Sequence, residues 1–153
     1  SVMNNWRNIL VDFLQTRAFC VVLSFALLFV GGMIYIIFRS ESLLMFTCLN
    51  KVGVLEAIQF LRRFGAEYAI SDWIKYSLPD GLWLFSYMFL IDTIWGGKIL
   101  LSYYFFLWAL PAIAVVSEVL QVFGWLPGVF DIWDLVCYVG AVVVFLILKF
   151  FLK

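Results

Sequence analysis

Two stretches of the chain, residues 18–38 and 99–116, hold no charged residue, and a third, residues 135–151, holds only Lys149. As helices rising 1.5 Å per residue, such runs reach about 25–32 Å, close to the ~30 Å hydrocarbon core of a bilayer. The chain of 153 residues is 66% hydrophobic with a mean hydropathy of +1.08, against about 45–50% apolar residues in an ordinary globular domain. Too little polar surface remains to cover a water-facing sphere, and lipid is the natural solvent. Seven Trp and seven Tyr agree, because amphipathic rings favour the headgroup level. Ten basic and ten acidic residues balance, so no positive surplus exists to draw nucleic acid.

Cys20, Cys48 and Cys137 are scattered and form no CxxC pair, so packing is their expected role rather than a disulfide framework or a zinc site. The absence of histidine removes His-based triads, haem ligation and the usual metal ligand together. Residues 18–38 exceed the roughly 7–15-residue core of a secretory signal, and no small-x-small cleavage pattern follows, so a retained span is expected. Ser1 and Val2, ahead of Met3, are expected to be an addition before the native start.

The fold class expected is all-α: one transmembrane domain over residues 1–153, an integral membrane four-helix bundle. Its spans fall at about 18–38, 76–95, 99–123 and 134–151, with an amphipathic helical loop at 39–75. In residues 3–17, Ile9, Leu10, Phe13 and Leu14 share a face, which predicts a short interfacial helix before the first span. Gly31-Gly32 reads either as a close helix contact or as a local weakening. Residues 39–80 carry half of all charged residues, and the apolar segment 43–49 is too short to span. Leu55, Ile58 and Leu61 face one way while Glu56, Gln59, Arg62 and Arg63 lie largely elsewhere, so a surface or capping helix over 56–63 is expected. Pro79 and Asp80 suit the first turn of the second span. Trp73, Tyr76 and Trp83 at one end and Trp95 at the other are expected interface anchors. Trp95-Gly96-Gly97-Lys98 turns the chain into an antiparallel hairpin, and Pro111 should kink the third span. Asp92 is expected to snorkel or to pair with Lys98.

Four spans put both termini on one side. Arg7, Arg17, Lys98, Lys149 and Lys153 fall there, and the turn over 124–133 has no basic residue. The long loop, with Arg39, Lys51, Arg62, Arg63 and Lys75, opposes this, but short segments beside spans count most, so cytoplasmic termini are expected.

Between the last two spans, residues 117–134 hold three carboxylates and a glutamine. Glu118 and Gln121, spaced i,i+3, share a face at the end of one helix, and Asp131 and Asp134 do the same at the start of the next. Gly124 and Pro127-Gly128 break the chain between them. Alternating spans bring these four and Asp80 to one membrane face, expected to be the outer one, beside the loop with Arg62 and Arg63. Ionisable groups at span ends are a site hypothesis, with acidic helix caps and an interfacial glutamate as the ordinary alternative. The expected ligand-binding unit is Glu118, Gln121, Asp131 and Asp134, with Asp80 next and Arg62 or Arg63 as its cover. Arg62-Arg63 alternatively hold a lipid phosphate, or form part of a solvated helix face.

Glu118-x-x-Gln121, the turn glycine Gly128, Asp131-x-x-Asp134 and Gly140 resemble the VanZ-like family of small polytopic membrane proteins, over about residues 79–152 and three of the four spans. Val129 and Tyr138 stand near places where that family often has Arg and Asn, and Asp80 or Ser86 corresponds to its polar residue early in the second span. The resemblance implies a four-span bundle in the bacterial inner membrane and a link to the cell envelope, including glycopeptide-antibiotic resistance in the founding member. It implies no reaction mechanism.

Three readings follow. The first is a VanZ-like envelope protein whose acidic pocket binds a lipid headgroup, an envelope precursor or a cation. The second is a small accessory subunit of a larger membrane complex, with Tyr103, Tyr104, Phe105, Phe106 and Trp108 as its protein contact rather than a lipid contact. The third is a membrane-embedded metal-dependent hydrolase or transferase, with Glu118 as catalytic acid or base and a divalent cation on Asp131, Asp134 and Glu118. No nucleophile, histidine or phosphate loop accompanies those carboxylates. Beyond such a cation no cofactor is expected; the expected partners are membrane lipids and, in the second reading, another protein.

Overall fold

The computed structural model describes Asn8, Asp12 and residues 16–39, 44–98 and 100–151. Among these residues the chain is all-helical, with α1 (Arg17–Phe38), α2 (Leu44–Val52), α3 (Leu55–Ala66), α4 (Asp72–Tyr76), α5 (Leu78–Trp95), α6 (Leu101–Val122) and α7 (Ile132–Phe151). The interfacial helix expected over residues 3–17 lies almost wholly outside the described residues.

Local chemistry accounts for the helix ends. α5 opens with Pro79 in its first turn and Asp80 against the helix dipole, and it stops at Gly96, which is left-handed at φ 56°. α3 has Glu56 in its first turn and Arg63 in its last, both favourable to the dipole. α6 runs unbroken through Pro111.

Among the described residues three helices, α1, α6 and α7, are long and apolar enough to cross a membrane. Their side chains point mostly outward: Val22, Phe25, Phe29, Phe105, Ile113 and Val143 are all exposed. Continuous apolar surface on that scale marks a membrane or protein contact, and the length and composition of these helices point to a membrane. α5 is not one of the three. Its polar residues are instead turned inward, and it forms the hub of the molecule, packed against α1 on one side and against α6 and α7 on the other.

The α1–α5 seam is built from small residues, which let backbones approach where lipid supplies no hydrophobic drive. Ser86 Oγ donates to the Ser24 carbonyl at 2.6 Å, and Ser24 Oγ donates to the Cys20 carbonyl at 2.9 Å. Gly31 is a close helix contact: a Cβ there would sit 2.7 Å from Trp83 Nε1 and 3.2 Å from the Pro79 carbonyl oxygen. Trp83 packs in this seam, its Nε1 donating to the Leu28 carbonyl at 3.2 Å. On the other side of α5, a Cβ on Gly81 would lie 2.9 Å from Cys137 Cβ on α7.

The core joins Met88 and Phe89 of α5 to Tyr103 and Leu107 of α6 and Phe145 of α7. Below it, Asp92 pairs with Lys149 Nζ at 2.5 Å and accepts the Tyr103 hydroxyl at 2.5 Å, and Lys149 also donates to the Tyr103 oxygen. Lys149, not Lys98, is thus the partner of Asp92. Periodicity within one helix could not show this, because the partner comes from the far end of the chain.

Candidate ligand site

The helix directions determine what meets at the opposite end. Ser24 pairs with Ser86 and Leu28 with Trp83, so α1 and α5 are antiparallel. Gly81 meets Cys137 and Asp92 meets Lys149, so α5 and α7 are parallel. Asp131, just before α7, reaches Glu118 near the end of α6, so α6 and α7 are antiparallel. The end of α1, the start of α5, the end of α6 and the start of α7 therefore share one end of the molecule.

Glu118 is 4% exposed, although Val119, Val122 and Phe123 beside it all face outward. Its Oε2 accepts the Asp131 N–H at 3.5 Å. Asp131 itself caps α7, its Oδ1 accepting the Trp133 N–H at 2.9 Å. Gln121 lies under the turn: a Cβ on Gly128, whose φ is 139°, would sit 2.8 Å from Gln121 Nε2. Asp80 stands in the electrostatic field of Asp134, Arg39 and Glu118. Tyr138 stands in the field of Asp80, Asp134 and Glu118. Asp80, Glu118, Asp131 and Asp134 are thus gathered, with Gln121 against the adjoining turn.

Arg62 and Arg63 lie elsewhere. Arg62 Nη1 donates to the Ile36 carbonyl at 2.6 Å, and its guanidinium sits 5.1 Å from the Phe46 ring centre. Both arginines line a separate cavity between α1, α3 and α4. Among the described residues, the cation beside the carboxylates is Arg39, which follows α1 directly. Arg39 Nη2 donates to the Tyr76 carbonyl at 3.3 Å, and the guanidinium stands 5.1 Å from the Tyr35 ring and 5.3 Å from the Tyr76 ring. Alternation of the spans puts Arg39 at this end together with the loop that carries Arg62 and Arg63, and it does not say which of them meets the carboxylates.

Three buried side-chain atoms have no hydrogen-bond partner among the described residues: Arg39 Nε, Ser77 Oγ and Asp134 Oδ1. All three belong to this end of the molecule. Buried polar atoms are nearly always satisfied, so such a group marks a place for water or a polar ligand. Among the described residues no group of three or more His, Cys, Asp or Glu side chains could hold a metal ion. The chemistry of the corner is mixed: Asp134 Oδ1 asks for a donor, Arg39 Nε asks for an acceptor, and Ser77 Oγ takes either.

Comparison of the chain with protein-family models, with curated proteins and with solved structures found no match.

Proposed function

We propose that this chain is a VanZ-like integral membrane protein of the bacterial cell envelope, with α5 as a fourth span and both termini cytoplasmic. At its outer face the corner formed by Asp80, Glu118, Asp131, Asp134 and Arg39 binds a polar lipid headgroup or a lipid-linked envelope precursor. The observation that carries this reading is the clustering of the unpartnered Arg39 Nε, Ser77 Oγ and Asp134 Oδ1 at one end of the molecule. A bare cation satisfies the aspartate and leaves the arginine unanswered. A headgroup with ammonium or hydroxyl donors and oxygen acceptors answers both. The four carboxylates against one guanidinium favour a ligand whose donor end is positively charged.

The test is purification in mild detergent followed by mass spectrometry of retained lipid. Asp134→Asn and Glu118→Gln keep the side-chain shapes and remove the charges. The expected result is a loss of at least about tenfold in retention of one polar-headgroup species, equivalent to ~1.4 kcal/mol. An identical lipid profile in wild type and both variants overturns the reading. A stoichiometric protein partner, retained in Glu118→Gln with no lipid change, assigns the corner to scaffolding within a complex.

A further inference from the structure

A cavity of about 470 Å³ opens between the end of α1, the amphipathic helix α3 and α4; it is lined by Arg62, Arg63, Lys75, Gln59 and Tyr76, with Ile37 and Phe38 as part of its apolar wall. Three of its lining residues are cations and none is a carboxylate. Lys75 has a counter-charge in Asp72, 3.7 Å from its Nζ, but Asp72 is 85% exposed and the pair is solvent-screened.

Its depth in the molecule is set by α1. Ile37 and Phe38 are the last residues of this 22-residue span, and a helix of that length rises about 33 Å, the full hydrocarbon thickness. With α1 crossing a bilayer, the cavity beside its end falls at the level of one leaflet's phosphates. α3 has the matching shape. Phe60, Leu61 and Phe64 are exposed and apolar on its outer side, while Arg62 and Arg63 turn toward the cavity. A helix with this division lies in the plane of the membrane surface with its apolar face among acyl chains. It is also held in place: Gly65 allows Ile37 and Phe38 of α1 to pack closely, and Arg62 binds the Ile36 carbonyl.

We infer that this cavity is a phosphate site, in which Arg63 and Lys75, with Arg62, Gln59 and Tyr76, hold the phosphodiester of an anionic phospholipid. Guanidinium groups match phosphate oxygens in a two-pronged geometry, and the ammonium adds charge without orientation. The inference does not rest on the acidic corner, whose carboxylates lie outside this lining. Its substrate is defined by the phosphate; the position at the end of a span makes a membrane lipid the source rather than free phosphate.

The experiment uses the full chain in vesicles of phosphatidylglycerol mixed with a phosphate-free galactolipid, followed by detergent release and native mass spectrometry. Arg63→Gln/Lys75→Gln is the test variant, because it spares the Arg62 anchor; Lys51→Gln/Lys98→Gln is the charge-matched control. The expected result is retention of phosphatidylglycerol over galactolipid by wild type and control, reduced about tenfold or more in the test variant. Millimolar inorganic phosphate is expected to leave that retention unchanged; displacement by it keeps the phosphate site but overturns its lipid source. Equal retention of galactolipid and phosphatidylglycerol, or equal loss in test variant and control, overturns the site itself. Unchanged retention in the test variant does the same.

Discussion

At the scale of residues, the carboxylates divide by the groups they serve. Asp131 caps α7 through the Trp133 N–H, so Asp131→Ala should lower stability by about 1 kcal/mol, whereas Asp131→Ser should cost only a fraction of that. Thermal unfolding of both variants in detergent micelles checks this ordering. Asp92 serves three helices at once through Lys149 and Tyr103. Removing Lys149 alone leaves a half-buried carboxylate without its counter-charge. Lys149→Met should therefore cost more than the double variant Asp92→Asn/Lys149→Met. A double-mutant cycle measures the coupling; a value near zero would show that the pair holds nothing together.

At the scale of elements, the glycines separate into those that helix packing uses and those it does not. A Cβ on Gly81 would meet Cys137 Cβ at 2.9 Å and the Cys137 carbonyl oxygen at 3.1 Å, whereas one on Gly140 meets nothing within 4 Å. Gly81→Ala must push α5 and α7 apart and is expected to destabilise by about 1–3 kcal/mol. Gly140→Ala should instead stabilise, by up to about 1 kcal/mol, because alanine is the better helix former. Unfolding midpoints of the two variants should move in opposite directions. The tight α5–α7 approach leads directly to the site, since it sets Asp80 one residue from the contact and Asp134 one turn before it.

At the scale of the whole molecule, one arrangement governs both ends: α5 as hub, antiparallel to α1 and α6 and parallel to α7. Asp92 and Lys149 mark one end and the carboxylates with Arg39 the other. With cytoplasmic termini, a cysteine replacing Lys51 in the loop should react with a membrane-impermeant thiol reagent on intact cells. Lys98→Cys, in the α5–α6 turn, should react only after permeabilisation, both in a background lacking Cys20, Cys48 and Cys137. The reverse pattern would invert the orientation and move the acidic corner to the cytoplasmic face.

Much of this was legible one helix at a time. The apolar runs place α1, α6 and α7; Pro79 and Gly96 bound α5; the spacing of Leu55, Ile58, Arg62 and Arg63 marks α3. Hydrophobic periodicity and end signals are local, and alternation of direction then assigns each charge to an end of the molecule. The gathering of Asp80, Glu118, Asp131 and Asp134 follows from that assignment alone. Lateral neighbours do not. That Arg39 rather than Arg62 stands with the carboxylates, that Lys149 rather than Lys98 answers Asp92, and that Trp83 packs inside the seam depend on which helix faces which. In lipid those choices are made by close backbone approach at Gly31 and Gly81 and by hydrogen bonds such as Ser86 to Ser24, interactions that exist only once two helices are already side by side.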